Sequence, residues 1–446
     1  MAKIRLTAVA RFAMAVALVA VLVACVRAEP AAENGGQVTP SDTQQRLILA
    51  VNDSPWLHSY QAAIELYRQR TGVQVEVNIF PHQALYDSQT SAARENAYVF
   101  DIFQADEAMF PFYMSNGYLA KFRDIDPGFQ YDPEIIEYAH SGRWSASAGY
   151  TTADGDIYGM PINGNLQLWF YNAERFREAG LGTPDTFDDV RRAARTLNRA
   201  GFNGYGIISV ARIQATYFWM PILWGHGGDI FADMPNDWRV TINSPQALQS
   251  LNFLAEMSAY APPGIGSTSQ ADILSYLANG QLAQAVNVSA VHAFMDNPEF
   301  AAFPGVIDFA PPPRGVDRAS SLGNWVAGIA ATSPNKELAL DFLRFIASYD
   351  AQLVVGEARG VPVREDVYAE LAARPGNEWR FFRGYQETFP YARSRPRIPE
   401  WPQIEDVIGT HLQEFLVGQI TAVQALSQME TAVSRIMRNA GYDIGN

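Results

Sequence analysis

The sequence is almost without cysteine: among 446 residues the only one is Cys25. Everything after Cys25 therefore lacks the thiol needed for a disulfide, for a sulfur-ligated metal site or for a cysteine nucleophile. The chain must then be held together by its cores, which its 48% of hydrophobic residues can fill. A disulfide-stapled secreted fold and a thiol enzyme are both excluded.

Recognisable catalytic and metal-binding motifs are also missing. The six histidines are His58, His82, His140, His226, His292 and His411. They form no pair at metal-ligand spacing, and there is no Gly-x-Ser-x-Gly, P-loop or dinucleotide-binding pattern. We therefore predict no catalytic residue, no metal and no cofactor. A glycoside hydrolase remains an alternative, because 47 acidic residues leave a catalytic carboxylate pair possible.

Positive charge is scarce. The chain carries 33 basic and 47 acidic residues, a formal charge of -14. Residues 1–25 contain three basic residues and no acid, so the rest of the chain carries -17. This balance argues against nucleic acid as a partner and against a basic membrane-binding surface.

Long apolar runs are confined to the N-terminus. Three basic residues precede the apolar segment at 12–24, which is too short to span a membrane. The four residues ending at Cys25 (Leu-Val-Ala-Cys) look like the lipobox of lipoprotein export signals, in which the cysteine is acylated and becomes residue one. We therefore predict a signal peptide at 1–25 and a lipid anchor on Cys25.

The segment at 26–45 follows this export signal and has almost no residues to bury. We predict a flexible tether there. Cleavage after Ala28 is the alternative, and it would release a soluble periplasmic protein.

Strand and helix patterns alternate in the remaining chain. An apolar run at 46–51 is followed by helical spacing over 56–70 and by strict alternation over 73–79. This order is typical of a parallel α/β sheet, and a further strand is predicted at 98–103. The chain is too long for one hydrophobic core, so two lobes are expected.

Capping signals place several helices. Thr186 and Ser244 are predicted N-caps of helices at 187–199 and 246–257. The amphipathic pattern near the C-terminus is predicted to break at Gly418.

Aromatic residues stand beside amides and carboxylates at predicted strand ends. Trp56 follows a polar turn, Asp106 follows the strand at 98–103, and Trp325 follows Asn324. Open α/β sheets bind ligands at such ends, and aromatic faces beside polar groups suit a sugar. Each tryptophan taken alone is also compatible with core packing. For Trp325 the flanking glycine and asparagine favour a loop.

Several segments have a characteristic order and spacing. These segments are Tyr158–Asn163, Tyr171–Asn172, Phe176–Gly180, Pro184–Asp189, Gly227–Asp229, Asn243–Ala247, Ala331–Lys336, Gly360–Arg364 and Asn439–Tyr442. Together they resemble the extracellular solute-binding proteins of family 1, the sugar-binding subunits of bacterial ABC importers. The resemblance covers residues 46–441.

The resemblance implies an α/β fold of the two-lobed periplasmic-binding-protein type (type II), with a hinged interlobe cleft. One strand of the sheet is then expected to run out of parallel order. We predict an N-terminal lobe of 46–158 and 311–359, and a C-terminal lobe of 159–310 and 360–446.

The resemblance also implies a ring of ligand-binding residues in the cleft. Together with one member of the aromatic cluster at 217–224, the predicted residues are Ser54, Trp56, Asp106, Asn165, Tyr217, Trp224, Asn287, Ser289, Asn324 and Trp325. Asn165 is uncharged where the family's maltose-binding protein has an acid, which argues against maltodextrin.

The resemblance implies a monomeric binding subunit in the cell envelope that delivers a carbohydrate to the permease of an ABC importer. A polyol, a sugar acid or a polyamine are alternatives on the same scaffold. Arg359 could serve a sugar acid, whereas a polyamine needs several cleft acids and only Asp106 is predicted there.

Overall fold

The computed structural model describes residues 45–210 and 213–445. The strands are β1 (Arg46–Asn52), β2 (Gln74–Phe80), β3 (Ile102–Asp106), β4 (Arg143–Trp144), β5 (Asp156–Ile157), β6 (Gly159–Asn163), β7 (Gln167–Asn172), β8 (Phe231–Asp233), β9 (Asp237–Val240), β10 (Gln284–Val288), β11 (Ile307–Ala310), β12 (Ser320–Ser321), β13 (Trp325–Ile329) and β14 (Ala392–Arg393). The helices are α1 (Leu57–Thr71), α2 (His82–Arg94), α3 (Phe110–Ser115), α4 (Phe122–Ile125), α5 (Ala173–Glu178), α6 (Phe187–Leu197), α7 (Ile213–Gly225), α8 (Pro245–Ser258), α9 (Gln270–Ala278), α10 (Lys336–Ile346), α11 (Tyr349–Glu357), α12 (Glu365–Ala373), α13 (Arg380–Thr388), α14 (Trp401–Leu416) and α15 (Ala422–Asn439). The predicted signal peptide, the lipid anchor on Cys25 and the tether up to residue 44 lie outside the described residues.

A five-stranded sheet in the order β2-β1-β3-β13-β6 positions half of the site. Strands β1, β2 and β3 are parallel, and β13 runs antiparallel to both of its neighbours. The expected strand out of parallel order is therefore β13. Because β1 and β3 end where β13 begins, the residues at those three points meet at one edge of the sheet.

A second sheet has the order β10-β7-β11, with β7 antiparallel to both neighbours. All residues of β7 and β10 are buried, and β7, the central strand, lies largely in the apolar run at 166–171. Helix α7 is also buried over most of its length and packs against α14.

The predicted helix signals are confirmed. Thr186 and Asp189 form a capping box at the start of α6, and the Ser244 side chain accepts a hydrogen bond from the backbone of Ala247 in α8. Gly418 has a φ of 76° between α14 and α15, so the expected break falls there.

The strand predicted at 98–103 begins a few residues too early, because β3 begins only at Ile102. The side chains of Tyr98 and Val99 are 45% and 43% exposed, and the chain around them forms a loop. Their β-forming character misled the prediction, since propensity alone does not report burial.

The boundaries of the two lobes stay a prediction. Strand β6, which was assigned to the beginning of the C-terminal lobe, pairs with β13 in the five-stranded sheet. No helix in the described ranges is long and apolar enough to cross a membrane.

Candidate functional site

A cavity of about 1150 Å³ opens at the edge where β1 and β3 end and β13 begins. One wall consists of residues at and after the ends of β1 and β3, together with one face of α2 along its whole length. The opposite wall comes from the loop after β6, from α7 and from the end of β10. The cavity is large enough for a small solute and lies slightly above the usual volume of ligand sites, which is about 300–1,000 Å³.

Trp325 and Asp106 lie side by side because of the register between β13 and β3. Trp325 is the first residue of β13 and pairs directly with Asp106, the last residue of β3. The expectation that Trp325 belongs to a loop is thus wrong. Its ring still lines the cavity, although it is only 6% exposed, and the strand register shifts just after it.

Four rings form an aromatic cluster on this wall: Trp56, His82, Tyr86 and Trp325. The ring centroids of Trp56 and Trp325 are 5.6 Å apart, and those of His82 and Trp325 are 5.9 Å apart. His82 and Tyr86 lie four residues apart on one face of α2, with centroids separated by 4.7 Å. The sequence prediction missed these two, although their spacing on an amphipathic helix was a usable signal.

Asp106 is an ionised carboxylate, and both of its oxygens accept hydrogen bonds from within the protein. Its Oδ1 accepts hydrogen bonds from the backbone N–H groups of Ala108 and Met109 at 3.0 and 3.1 Å, and its Oδ2 accepts one from the Tyr86 hydroxyl at 2.9 Å. Burial opposes ionisation, but the nearby Arg395 guanidinium and the hydrogen bond from His82 hold the pKa of Asp106 below its usual value. Asp106 therefore fixes the aromatic cluster and has little accepting capacity left.

Behind Asp106 lies a buried charge cluster of Asp106, Glu107, Arg395, Arg397 and Glu405. Arg395 contacts Glu107 Oε1 at 2.9 Å, Glu405 Oε1 at 2.8 Å and Asp106 Oδ1 at 3.5 Å. Arg397 Nε contacts Glu107 Oε2 at 2.7 Å. Burial, only partly offset by Arg395, raises the pKa of Glu405 to about 7.

The sequence prediction also missed Arg395 and Glu405, and both line the cavity. They come from a segment almost 300 residues after Asp106, and no local pattern links the two regions. The available signal was the alternation of Arg393, Arg395 and Arg397, since a period of two places all three on one side of an extended chain.

The opposite wall presents two polar groups. Asn165 Oδ1 accepts hydrogen bonds from Ser289 Oγ at 2.9 Å and from the Ala290 backbone N–H at 3.0 Å, which leaves the Nδ2 group as the donor. The Tyr217 hydroxyl is buried and has no hydrogen-bond partner within 45–210 and 213–445. Both groups lie against Gly323, which also lines the cavity.

Six of the ten residues predicted from the sequence lie on the cavity wall. They are Ser54, Trp56, Asp106, Asn165, Tyr217 and Trp325. The other four do not line the cavity.

Strand alternation explains two of those four residues, whereas Ser289 lies in a 3-10 helix that begins directly after β10. Val288 lines the cavity, so the preceding Asn287 in β10 is directed elsewhere. Asn324 lies between two lining residues in the same manner, and its Nδ2 donates to Ser141 Oγ at 2.9 Å. Ser289 nevertheless acts on the site indirectly through Asn165.

Trp224 is the fourth residue outside the cavity. It lies two helical turns beyond Tyr217 on α7, which carries it about 10 Å along the helix axis. It is 1% exposed, and its Nε1 donates to Asp229 Oδ1 at 3.1 Å. Trp224 is therefore a core residue.

Comparison with known proteins agrees with this fold and site. The sequence model of the bacterial extracellular solute-binding protein family matches residues 54–353, so the chain belongs to that family and the resemblance seen in the sequence is confirmed. It has the family's two-lobed α/β fold, and members of the family are transport binding proteins.

Individual relatives are distant. The chain is 25% identical to a probable amino-acid ABC transporter periplasmic-binding protein of Sinorhizobium fredii, over 84% of this chain and 85% of that protein. It is 24% identical to the mannitol-binding protein of Pseudomonas aeruginosa, over 65% and 71%. A solute-binding protein of Thermotoga lettingae, solved with bound α-D-tagatose, matches with a TM-score of 0.74 and 25% identity over 88% of this chain and all of that one.

Proposed function

We propose that this protein is the extracytoplasmic substrate-binding subunit of an ABC importer and that it binds a carbohydrate or polyol in the cavity. The observation that carries the proposal is the pairing of two walls. Trp56 and Trp325 offer aromatic faces on one side, and Asn165 and Tyr217 offer polar groups on the other. Apolar C–H patches of a polyhydroxy solute suit the first wall, and its hydroxyl groups suit the second.

The relatives support the same chemical class. A mannitol-binding protein and a tagatose-bound protein are among the similar chains. The probable amino-acid transporter component points elsewhere. A free amino acid needs a cation for its carboxylate, but the buried Arg395 already contacts three carboxylates. This wall therefore favours hydroxyl groups over a carboxylate.

Two observations bear on the alternative ligands, a sugar acid and a polyamine. Arg359, considered for a sugar acid, does not line the cavity; its guanidinium lies over the Trp379 ring at 4.6 Å. The expectation that Asp106 is the single cleft acid is wrong, because five further acids line the cavity: Asp53, Asp87, Glu95, Glu405 and Asp406.

We propose that binding involves no covalent chemistry. The two most buried wall acids, Asp106 and Glu405, both contact Arg395, which favours an electrostatic role over acid–base work. Incubation with a panel of glycosides should release no product over many equivalents of protein. Sustained release would show that the site is a hydrolase centre.

The cellular setting completes the proposal. An exported protein delivering its ligand to a permease benefits from confinement to the membrane, which acylation of Cys25 provides. We expect a monomer. Mass spectrometry of the mature N-terminus and light scattering of the purified protein test these points; an unmodified chain beginning at Glu29 would contradict the anchor.

Thermal unfolding in the presence of sugars and polyols tests the ligand class directly. A ligand at 100 times its Kd stabilises the folded state by about 2.7 kcal/mol and raises Tm. Trp325→Ala should abolish this shift, whereas Trp379→Ala, which removes a tryptophan outside the cavity, should keep it. A shift produced by free amino acids and by no sugar or polyol would overturn the proposal.

A further inference from the structure

The buried charge cluster has unequal charges. It contains three carboxylates, Asp106, Glu107 and Glu405, but only two guanidinium groups, Arg395 and Arg397. All five side chains are almost completely withdrawn from solvent. One negative charge therefore has no partner of opposite sign within the cluster, which is costly in such surroundings.

The contacts show where this extra charge resides. Both oxygens of Glu107 contact an arginine, at 2.9 and 2.7 Å. Both oxygens of Asp106 accept hydrogen bonds. Glu405 uses only Oε1, which Arg395 contacts at 2.8 Å, and its Oε2 has no partner among the residues that the structure describes. The rise in the pKa of Glu405 to about 7, caused mainly by burial, agrees with an uncompensated charge at this residue.

A second unpartnered group lines the same cavity. Tyr217 is 8% exposed, its ring packs against the Arg395 guanidinium at 4.7 Å, and its hydroxyl lacks a partner within the described ranges. A protonated amine has three N–H donors and a positive charge, so it can satisfy both the Glu405 oxygen and the Tyr217 hydroxyl. A neutral hydroxyl can donate to one of them but leaves the charge in place.

The exposed residues that line the cavity also carry an excess of negative charge. Asp53, Asp87 and Glu95 are exposed lining residues, and Arg94 is the exposed base among the described lining residues. An excess of carboxylates around a cavity raises the local concentration of cations.

We propose that the natural ligand is an amino sugar or amino polyol whose ammonium group lies against Glu405 and Tyr217. This inference rests on the proposed function, because it assumes a polyhydroxy solute in this cavity. It adds a positive charge to that solute. The aromatic cluster then packs against the carbon skeleton, as it does for a neutral sugar.

Isothermal titration calorimetry at pH 7 with matched pairs tests the inference. The pairs are D-glucosamine with D-glucose, D-galactosamine with D-galactose, and 1-amino-1-deoxy-D-sorbitol with D-sorbitol. In at least one pair we expect the amine to bind ten or more times more tightly than its neutral partner. If neutral sugars or polyols bind as tightly as their amines, the inference is wrong and the proposed function stands. If no member of any pair binds, both are wrong.

Glu405→Gln identifies the group responsible. The variant keeps the shape of the side chain and should reduce the preference for the amine over its neutral partner to less than threefold. Glu414→Gln is the matched control, because Glu414 lies on the same helix α14 outside the cavity. An unchanged preference in Glu405→Gln would contradict the assignment. The comparison of amine and neutral ligands in the unmodified protein remains valid even if the variant folds poorly.

Discussion

At the scale of single residues, the period of two along extended chain decides which side chains reach the cavity. Gly323 and Trp325 line it while Asn324 does not, and Val288 lines it while the preceding Asn287 does not. The sequence located these stretches correctly but could not assign the phase of the alternation, which decides which residues of each stretch face the cavity. The phase depends on which face of the strand is covered by the partner sheet, and that is a tertiary property.

Gly323→Ala should close part of the site. A Cβ at this position would lie 3.0 Å from Tyr217 Cζ, closer still to the Tyr217 hydroxyl oxygen, and 3.3 Å from Asn165 Nδ2. Tyr217 is packed against Arg395 and cannot move aside freely. We expect a loss of ligand affinity of about tenfold or more, corresponding to ~1.4 kcal/mol. Calorimetry on Gly182→Ala provides the control, because a Cβ at Gly182 meets no atom within 4 Å. Equal losses in both variants would refute the steric explanation.

Ser289 is a positioning residue that acts through Asn165. Its Oγ donates to Asn165 Oδ1, and removing this bond in Ser289→Ala should cost about 1 kcal/mol and lower ligand affinity about fivefold. A double-mutant cycle separates this role from a general structural one. Once Asn165 is replaced by alanine, the Ser289→Ala change should have no further effect on affinity. Additive losses would mean that Ser289 acts independently of Asn165.

At the scale of secondary-structure elements, sequence motifs predicted the structure most reliably where the interacting residues are close neighbours in the chain. The capping box at Thr186 and Asp189 is complete within four residues, and the structure has it as expected. The start of β3 was misplaced because Tyr98 and Val99 have strand character without burial. The family resemblance implied one strand out of parallel order without saying which one, and the structure shows that it is β13. A strand pattern in the sequence carries no direction.

Gly418 ends α14 with a left-handed backbone, so replacing it tests the helix break. A Cβ there would meet no atom within 4 Å, and the cost of Gly418→Ala is therefore purely conformational. We expect a loss of about 1 kcal/mol in the free energy of unfolding, measured by urea denaturation. Gly418→Asn should lose less, because asparagine tolerates the left-handed region better than alanine does. Equal stability of the glycine and alanine proteins would contradict a left-handed residue at this position.

At the scale of the whole molecule, the site joins parts of the chain that are far apart in sequence. Asp106 ends a strand of the five-stranded sheet, Tyr217 lies on α7, and Arg395 and Glu405 belong to the last fifth of the chain. Strand ends and aromatic residues could be selected from the sequence because each has a local signature. The charge cluster could not, because individual acids and arginines gain meaning only when folding buries them together.

Glu405 links this cluster to the pH dependence of stability. Its folded-state pKa of about 7 lies above the ordinary value of 4.5, mainly because of burial. The folded protein therefore keeps this proton where the unfolded chain has lost it. Stability from Glu405 is complete below about pH 4.5 and is lost as the pH rises through 7. The lowered pKa of Asp106 has the opposite sign, but its effect falls below its ordinary value of 3.8, outside this window.

The measurement compares the unmodified protein with Glu405→Gln, without ligand, by urea denaturation at several values between pH 5 and pH 8. Burial also lowers the pKa of His226 and His292, but both histidines are present in the two proteins and their effect cancels in the difference. We expect the stability of the unmodified protein relative to the variant to fall as the pH rises to about 7 and then to level off. The buried carboxylate ionises beside Asp106 and Glu107, and Arg395 is the one basic residue that contacts it within the described ranges. A difference that stays constant across the range would show that Glu405 is ionised throughout. The second oxygen of Glu405 would then need a compensating charge from within the protein, and the reason for a cationic ligand at this wall would disappear.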